Sequence, residues 1–367
     1  MAVTSTTFNA VCAPAATSRE RNPNEEKPDE RIAAQSTRSR SDFRLSVAPM
    51  MDRTDRHYRS FMRLLTRRTL LYSEMITSAA IVHGDRDHLL SFDPEEHPIS
   101  LQLASDDPGE LARAVALAEP YGYDELNLNC GCPSDKVQEA NIGACLMATP
   151  DLVARLVDAM RSASSRPVTV KHRIGIDNLD QYEDLRRFVS IVSTAGPVRL
   201  TVHARIAILS GLSPKENREI PPLRYDDVYA LKSEFPQLNI EINGGFLELD
   251  QVERALERVD AVMIGRAAYD NPYLFATVDN RFFGEPANTV SRGEIIERMI
   301  PYVQKWEAEG LSPHRVLRHT LGLFLGRPGS RKWKQLLSPP AVFRMSGADT
   351  LRSALRLLPA DVLDERA

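Results

Sequence analysis

Residues 240–266 read Ile-Glu-Ile-Asn-Gly-Gly-Phe-Leu-Glu-Leu-Asp-Gln-Val-Glu-Arg-Ala-Leu-Glu-Arg-Val-Asp-Ala-Val-Met-Ile-Gly-Arg. Two short apolar runs, Ile240–Asn243 and Ala261–Ile264, each give way to glycine, and the amphipathic stretch Leu249–Arg258 lies between them. Runs of that length suit strands, while Leu249, Val252, Ala255 and Leu256 recur at helical spacing. This is a strand–helix–strand unit, with a glycine at the end of each strand.

Outward from there the same alternation recurs. Short runs at Leu45–Pro49, Leu70–Met75, Ile99–Leu103, Glu125–Asn129, Val168–His172 and Leu200–Val202 join the two above. Helical patterns fall at Pro108–Glu119, Pro150–Ser162, Gln181–Ser193 and Tyr225–Glu234. An earlier helix is expected over Asp55–Arg67, where Arg56, Arg59, Arg63 and Arg67 read as a solvated row. Eight strands with intervening helices predict an α/β chain folded as a (β/α)8 TIM barrel rather than an open sheet.

After Pro286 the strand signals stop. Ser291–Glu309, Pro313–Leu325, Gly329–Leu337 and Thr350–Leu358 read as helices, so a barrel over 42–288 is expected to be followed by a small helical domain over 289–367. Residues 1–41 are rich in Ser, Thr, Ala, Asn, Pro, Arg and Glu without periodicity and are expected to be a disordered extension. Their first 19 residues lack acids, as a transit peptide does, but Asn24-Glu-Glu-Lys-Pro-Asp-Glu30 argues for a cytoplasmic protein.

The 46 Lys and Arg against 50 Asp and Glu give a net charge of −4. That excludes a globally basic nucleic-acid binder, so any basic surface is local. Four cysteines (Cys12, Cys130, Cys132 and Cys145) in 367 residues make no disulfide framework and suit a reducing compartment. No apolar run approaches the ~20 residues of a membrane span. A soluble monomer is expected.

Reactive groups of such barrels sit at the carboxyl ends of strands, and phosphate often binds after the seventh and eighth. Asn243-Gly244-Gly245 ends the seventh strand and Gly265-Arg266 the eighth. Glycine lets backbone N–H groups approach phosphate oxygens, and Arg266 adds a charge-assisted bond. One such pair would pass for an ordinary turn; two, at the expected strand ends, favour phosphate.

The fourth strand ends in Asn127-Leu128-Asn129-Cys130-Gly131-Cys132-Pro133. Alternation turns Asn127 and Asn129 toward the barrel interior, where amides can pair with a pyrimidine edge. Cys132 follows in the loop; a thiol mostly protonated at neutral pH can donate a proton, although loop cysteines are more often inert. Cys130-x-Cys132 lacks the second ligand pair that zinc requires, so no metal is expected. Lys171 on the fifth strand would need an anion opposite it. His203 ends the sixth strand, and Gln102 on the third has an amide for a ring edge or for solvent. From Leu311 to Leu337 stand Arg315, Arg318, Arg327, Arg331, Lys332 and Lys334 with no acid, either a solvated face or a contact for a phosphate backbone.

In order along the chain, Ala48-Pro-Met-Met-Asp52, Asn127-Leu-Asn-Cys-Gly-Cys-Pro-Ser134, Thr169-Val-Lys-His-Arg-Ile-Gly175, Val202-His-Ala-Arg205, Asn243-Gly-Gly245 and Ile264-Gly-Arg266 resemble the tRNA-dihydrouridine synthase family. Residues 209–223 and Gly143-Ala-Cys-Leu-Met147 resemble its A subfamily. The resemblance spans about Phe43 to Leu337. It implies a barrel holding FMN, a helical tRNA-binding domain, NADPH as reductant, and reduction of D-loop uridines at tRNA positions 20 and 20a. By matching positions it implies flavin contacts for Pro49, Met50, Met51, Gln102, Lys171 and His203, and a phosphate cradle of Asn243, Gly244, Gly245, Gly265 and Arg266. It further implies Cys132 as the acid that protonates uracil C5, and tRNA contacts for Asn129, Lys215, Arg218, Arg331 and Lys334. Two positions depart from the pattern. Ile206 replaces the usual lysine after His-Ala-Arg, and Lys334 stands where arginine is common, which removes a bidentate phosphate fork. An FMN barrel enzyme of free pyrimidines would share the flavin site and lack the basic helices.

Overall fold

Parallel strands form one sheet that curls on itself: β1 Leu45–Val47, β2 Leu71–Tyr72, β3 Ile76–Thr77, β4 Ile99–Ala104, β5 Glu125–Cys130, β6 Val168–Arg173, β7 Arg199–His203, β8 Ile240–Asn243 and β9 Ala261–Ile264. The structure, a computed structural model, describes residues 43–288, 290–338 and 345–367; the expected extension, Cys12 included, lies outside them. The order β1-β9-β8-β7-β6-β5-β4-β2 is closed by a parallel bridge between Ser46 and Leu70, with Val47 N–H donating to Leu70 O at 2.9 Å. β2 and β3 both pair with β4 and fill one position of the ring. The chain is the expected (β/α)8 barrel.

The expected strand Leu70–Met75 is split because Ser73 leaves the regular ladder. Its hydroxyl oxygen accepts the N–H of Gln102 at 3.0 Å, a bond that a backbone carbonyl would otherwise make. Elsewhere the period of two holds. On β5, Leu126, Leu128 and Cys130 join the apolar layer under the helices, while Glu125, Asn127 and Asn129 hydrogen-bond inward.

The floor of the barrel is ionic. Arg199 lies 2.7 Å from Glu125 and 3.3 Å from Glu241, all three fully buried. Hydroxyls complete the shell: Tyr72, Ser100 and Thr169 donate to Glu125, and Ser46 and Thr201 to Glu241. A buried ion group survives when its remaining lone pairs are met in this way.

The first helix is Arg56–Arg63, shorter than expected, and its three arginines correct the reading as a solvated row, while Arg67 beyond it is exposed as expected. Arg59 is buried, 2.6 Å from Glu96. Arg63 spreads its guanidinium over the carbonyls of Thr66, Thr69, Glu96 and Pro98, and Arg56 donates to Ser91 O. Spacing located the row, but besides the nearby carbonyls of Thr66 and Thr69 the acceptors Ser91, Glu96 and Pro98 come from a segment some 30 residues on, which no local pattern reveals.

Past β9 run helices Arg292–Ala308, His314–Leu317, Ser330–Leu337, Gly347–Leu355 and Ala360–Leu363. The helix expected over Pro313–Leu325 is α-helical for four residues only and then tightens into a 3-10 turn, Arg318–Thr320. Gly322 follows because that stretch presses on the barrel: a Cβ there would stand 2.6 Å from Asp270 O and 2.8 Å from Tyr269 O. Trp333, which follows Arg331 and Lys332 in the sequence, is fully buried, edge-on to Phe324 and donating to Thr320 O at 3.1 Å. Among the described residues no helix is long and apolar enough to cross a membrane.

Candidate functional site

At the mouth, side chains from successive strand ends meet in register: Asn129 opposite Lys171, Arg173 opposite His203, and His203 opposite Asn243. Asn129 shapes the loop that follows it. Its Oδ1 accepts the N–H groups of Gly131 and Cys132, each at 3.0 Å, and its Nδ2 donates to Gln102 Oε1 at 2.9 Å. The loop turns back, leaving the Cys132 thiol half-buried and 3.6 Å from Ser134 Oγ. Gly143 supports it from behind at φ +69°; a Cβ would stand 2.6 Å from Cys132 O and 2.4 Å from Val137 Cγ1.

Lys171 Nζ donates to Asn243 Oδ1 at 3.2 Å, and Asn243 Nδ2 donates to Met263 O at 2.7 Å. Burial, with the charge of Arg173 adding to it, lowers the Lys171 ammonium to about 8. His203 is held well below its ordinary value by burial and by Arg173, Lys171, Arg205 and Arg218, so it is a neutral imidazole at pH 7. Gln102 donates to Asn127 Oδ1 at 2.8 Å, so its amide faces the interior rather than solvent.

The strand-end glycines are required by shape. Gly244 has φ +117°, and a Cβ would come within 2.7 Å of His203 Cδ2. Gly245, at φ +76°, would bring one within 2.5 Å of Leu223 Cδ1, while Tyr225 Oη donates to Gly244 O at 2.6 Å. Gly265 is different: its φ is −99° and the nearest atom to a Cβ, on Ala48, is 3.8 Å away. Arg266 is exposed, 2.9 Å from Glu219 and donating to Arg218 O. With Arg205 and Arg218 it makes a cationic rim beside the glycines. Close-set backbone and three cations suit a phosphate.

Pro49, Met50 and Met51 follow β1; Met51 is exposed. Their turn closes when Met50 O accepts from Arg53 and Thr54, with Asp52 at φ +61°. Glu74, released by the break between β2 and β3, accepts the Arg53 N–H at 3.2 Å; burial and the neighbouring carboxylates Asp55 and Asp52 push it up.

Lys215 and Arg218 stand exposed on a loop pinned by buried Asn217, which donates to Ile208 O and Leu212 O and accepts from Ile208 N–H. Arg173 ties this loop to the cysteine loop, donating to Gly131 O, Ile206 O and Asn217 O at 2.9–3.0 Å. Arg331 and Lys334 are exposed on helix Ser330–Leu337. Of the basic run, Arg318 pairs with Asp55 and Arg327 with Glu365. Glu74, Arg173 and Asn217 were not singled out from sequence; only the alternation of β6, which turns Arg173 inward, could have suggested one of them. Among the described residues no three His, Cys, Asp or Glu side chains converge as a metal cluster would.

Residues 46–355 match the family model described as dihydrouridine synthase (Dus). A tRNA-dihydrouridine(20/20a) synthase of Synechocystis sp. is 59% identical over 312 residues, covering 85% of this chain and 93% of that protein. Proteins of the same name from Pseudomonas syringae pv. tomato and Vibrio parahaemolyticus are 55% and 52% identical, covering 85% and 87% of this chain and 93% and 98% of their own lengths.

Proposed function

The chain belongs to the dihydrouridine synthase family, an oxidoreductase family, and on that premise we propose that it reduces D-loop uridines of tRNA at positions 20 and 20a, with FMN as resident cofactor and NADPH as electron source. The observation that carries this reading is the placement of Cys132, Asn129 and Lys171 on neighbouring strand ends beside a glycine cradle that no side chain could share.

The residues present fit FMN. Gly244 and Gly245 leave room for close backbone approach, Asn243, Gly265 and Arg266 would complete the phosphate cradle, and Pro49, Met50, Met51, Gln102, Lys171 and His203 would border the ring. FMN, when bound, supplies the hydride for uracil C6 that NADPH provides. Lys171 places a positive charge beside the ring, and His203, neutral, serves as a hydrogen-bonding partner. A base must leave the RNA stack to enter such a pocket. Asn129 has one Nδ2 hydrogen left for it after bonding Gln102. Cys132, on a loop held in place by Asn129, would give its thiol proton to C5, and the thiolate left behind regains a proton from solvent before the next turnover.

Residues 42–288 act as the catalytic domain in this reading, and 289–367 as a tRNA-binding domain. Arg331, Lys334, Lys215 and Arg218 would meet phosphates, their exposure supporting the role. The test is direct. FMN-loaded protein given NADPH and an unmodified tRNA transcript should produce dihydrouridine at 20 and 20a. Turnover of free uracil or orotate instead, with tRNA untouched, overturns the reading.

A further inference from the structure

The turn after β1 is gripped from two sides. Glu74 holds the Arg53 N–H on the barrel side. At its far end Asp55 caps helix Arg56–Arg63, its Oδ1 accepting from His57 and Tyr58, both at 3.0 Å. A serine would serve for that. Asp55 does more: Oδ2 lies 2.8 Å from Arg318 Nη2, and Oδ1 lies 3.0 Å from His319 Nε2. His319 is buried, with the rings of Tyr58 and Tyr269 at 5.9 and 5.8 Å. Beside it, His57 bonds the Tyr302 hydroxyl at 3.0 Å and meets Trp306 edge-on. The Asp55 carboxylate therefore ties the end of the turn that carries Pro49–Met51 to Arg318 and His319, beside a second link from His57 to Tyr302 and Trp306. Burial alone would push that carboxyl up, but the hydrogen bond and charge of His319 hold it well below the usual range, so it stays ionised at working pH.

We propose that Asp55 is a positioning residue: by binding Arg318 and His319 it locks the Pro49–Met51 turn to the C-terminal helices, so that tRNA docking on those helices sets the wall of the flavin site. This rests on the function proposed above. It predicts that the lock acts on turnover rather than on tRNA affinity.

The experiment uses full-length, FMN-loaded enzyme as wild type, Asp55→Ser, His319→Phe and the double variant. Serine keeps the helix cap, and phenylalanine keeps a ring at a site too buried for RNA to touch. The readouts are Kd for an unmodified tRNA transcript, kcat for dihydrouridine, and visible circular dichroism of the bound flavin with and without tRNA. Each single variant should keep Kd within about two-fold, lose about ten-fold in kcat, and lose the dichroism change on adding tRNA, and the double variant should fall no further, as for two residues acting through one contact. An unchanged kcat in both singles, losses that multiply in the double, or a loss confined to Kd overturns the proposal. A wild type that makes no dihydrouridine removes the underlying function as well, so the two failures are told apart.

Discussion

The backbone N–H of Cys132 points at the side-chain carbonyl of Asn129, 3.0 Å away. Asn129 therefore sets where the thiol stands before it meets any substrate. Asn129→Ala leaves two loop N–H groups without their acceptor, and Cys132→Ala removes the acid with the loop intact. Both variants should retain yellow flavin and oxidise NADPH. Cys132→Ala should lose about 10²- to 10⁴-fold in dihydrouridine formation, the range for a general acid, and Asn129→Ala should lose much of the same. Near-wild-type turnover on tRNA by Cys132→Ala would mean that another group supplies the proton.

Gly244→Ala places a methyl 2.7 Å from the His203 ring, at φ +117°. The strained backbone alone costs about 1–2 kcal/mol, and the displaced ring adds to it. FMN affinity of the flavin-free protein, read from flavin quenching, should fall by about ten-fold or more. Gly265→Ala is the control, since its backbone is ordinary and its surroundings open; equal losses at both positions would contradict the cradle.

Lys171 titrates at about 8 against an ordinary 10.5, so the charge it offers a ligand is present below about 8 and lost above. FMN affinity of the flavin-free protein should weaken as pH rises through that value and stay flat in Lys171→Met. The unfolded chain keeps this proton up to about 10.5, so between the two values it binds more protons than the folded state and this residue's contribution to stability rises with pH. A slope in affinity that persists in Lys171→Met assigns it to another group.

Arg331 and Lys334 are exposed, and neither is drawn into the core as Trp333 is. Replacing both with glutamate should weaken tRNA binding and flatten its dependence on salt, with flavin content unchanged, because phosphate contacts release counterions. The same salt slope in the variant would place the RNA elsewhere.

Glu125→Gln removes one of the two carboxylates that face Arg199 in the barrel floor. Breaking a buried ion group costs about 3–5 kcal/mol, so urea unfolding should shift by about 3 kcal/mol, the second carboxylate limiting the loss. A shift under about 1 kcal/mol would mean that Glu241 and the hydroxyls satisfy the guanidinium unaided.

The barrel was legible because its rules are local. The strand at Ile240–Asn243 and the helix at Tyr225–Glu234 fall where their periodicity puts them. The inward turn of Asn127 and Asn129 follows from alternation on β5. The mouth was legible because strand ends and glycines mark it. What stayed hidden depends on partners far along the chain. Glu74 reads as one more polar residue until Ser73 breaks the ladder and frees it to hold the β1 turn. Arg59 and Arg63 look solvated until the segment around Glu96 covers them. Trp333 looks like part of a cationic face until Phe324 and Thr320 are placed against it.

Both tryptophans of the chain, Trp306 and Trp333, lie beyond the last barrel strand. One is sealed inside the C-terminal helices and the other stands where they meet the barrel, against His57. Indole emission from the native protein is thus a signal of that segment and its seam: a dye-free optical trace of the helices loosening, to which melting of the tryptophan-free barrel contributes no indole of its own.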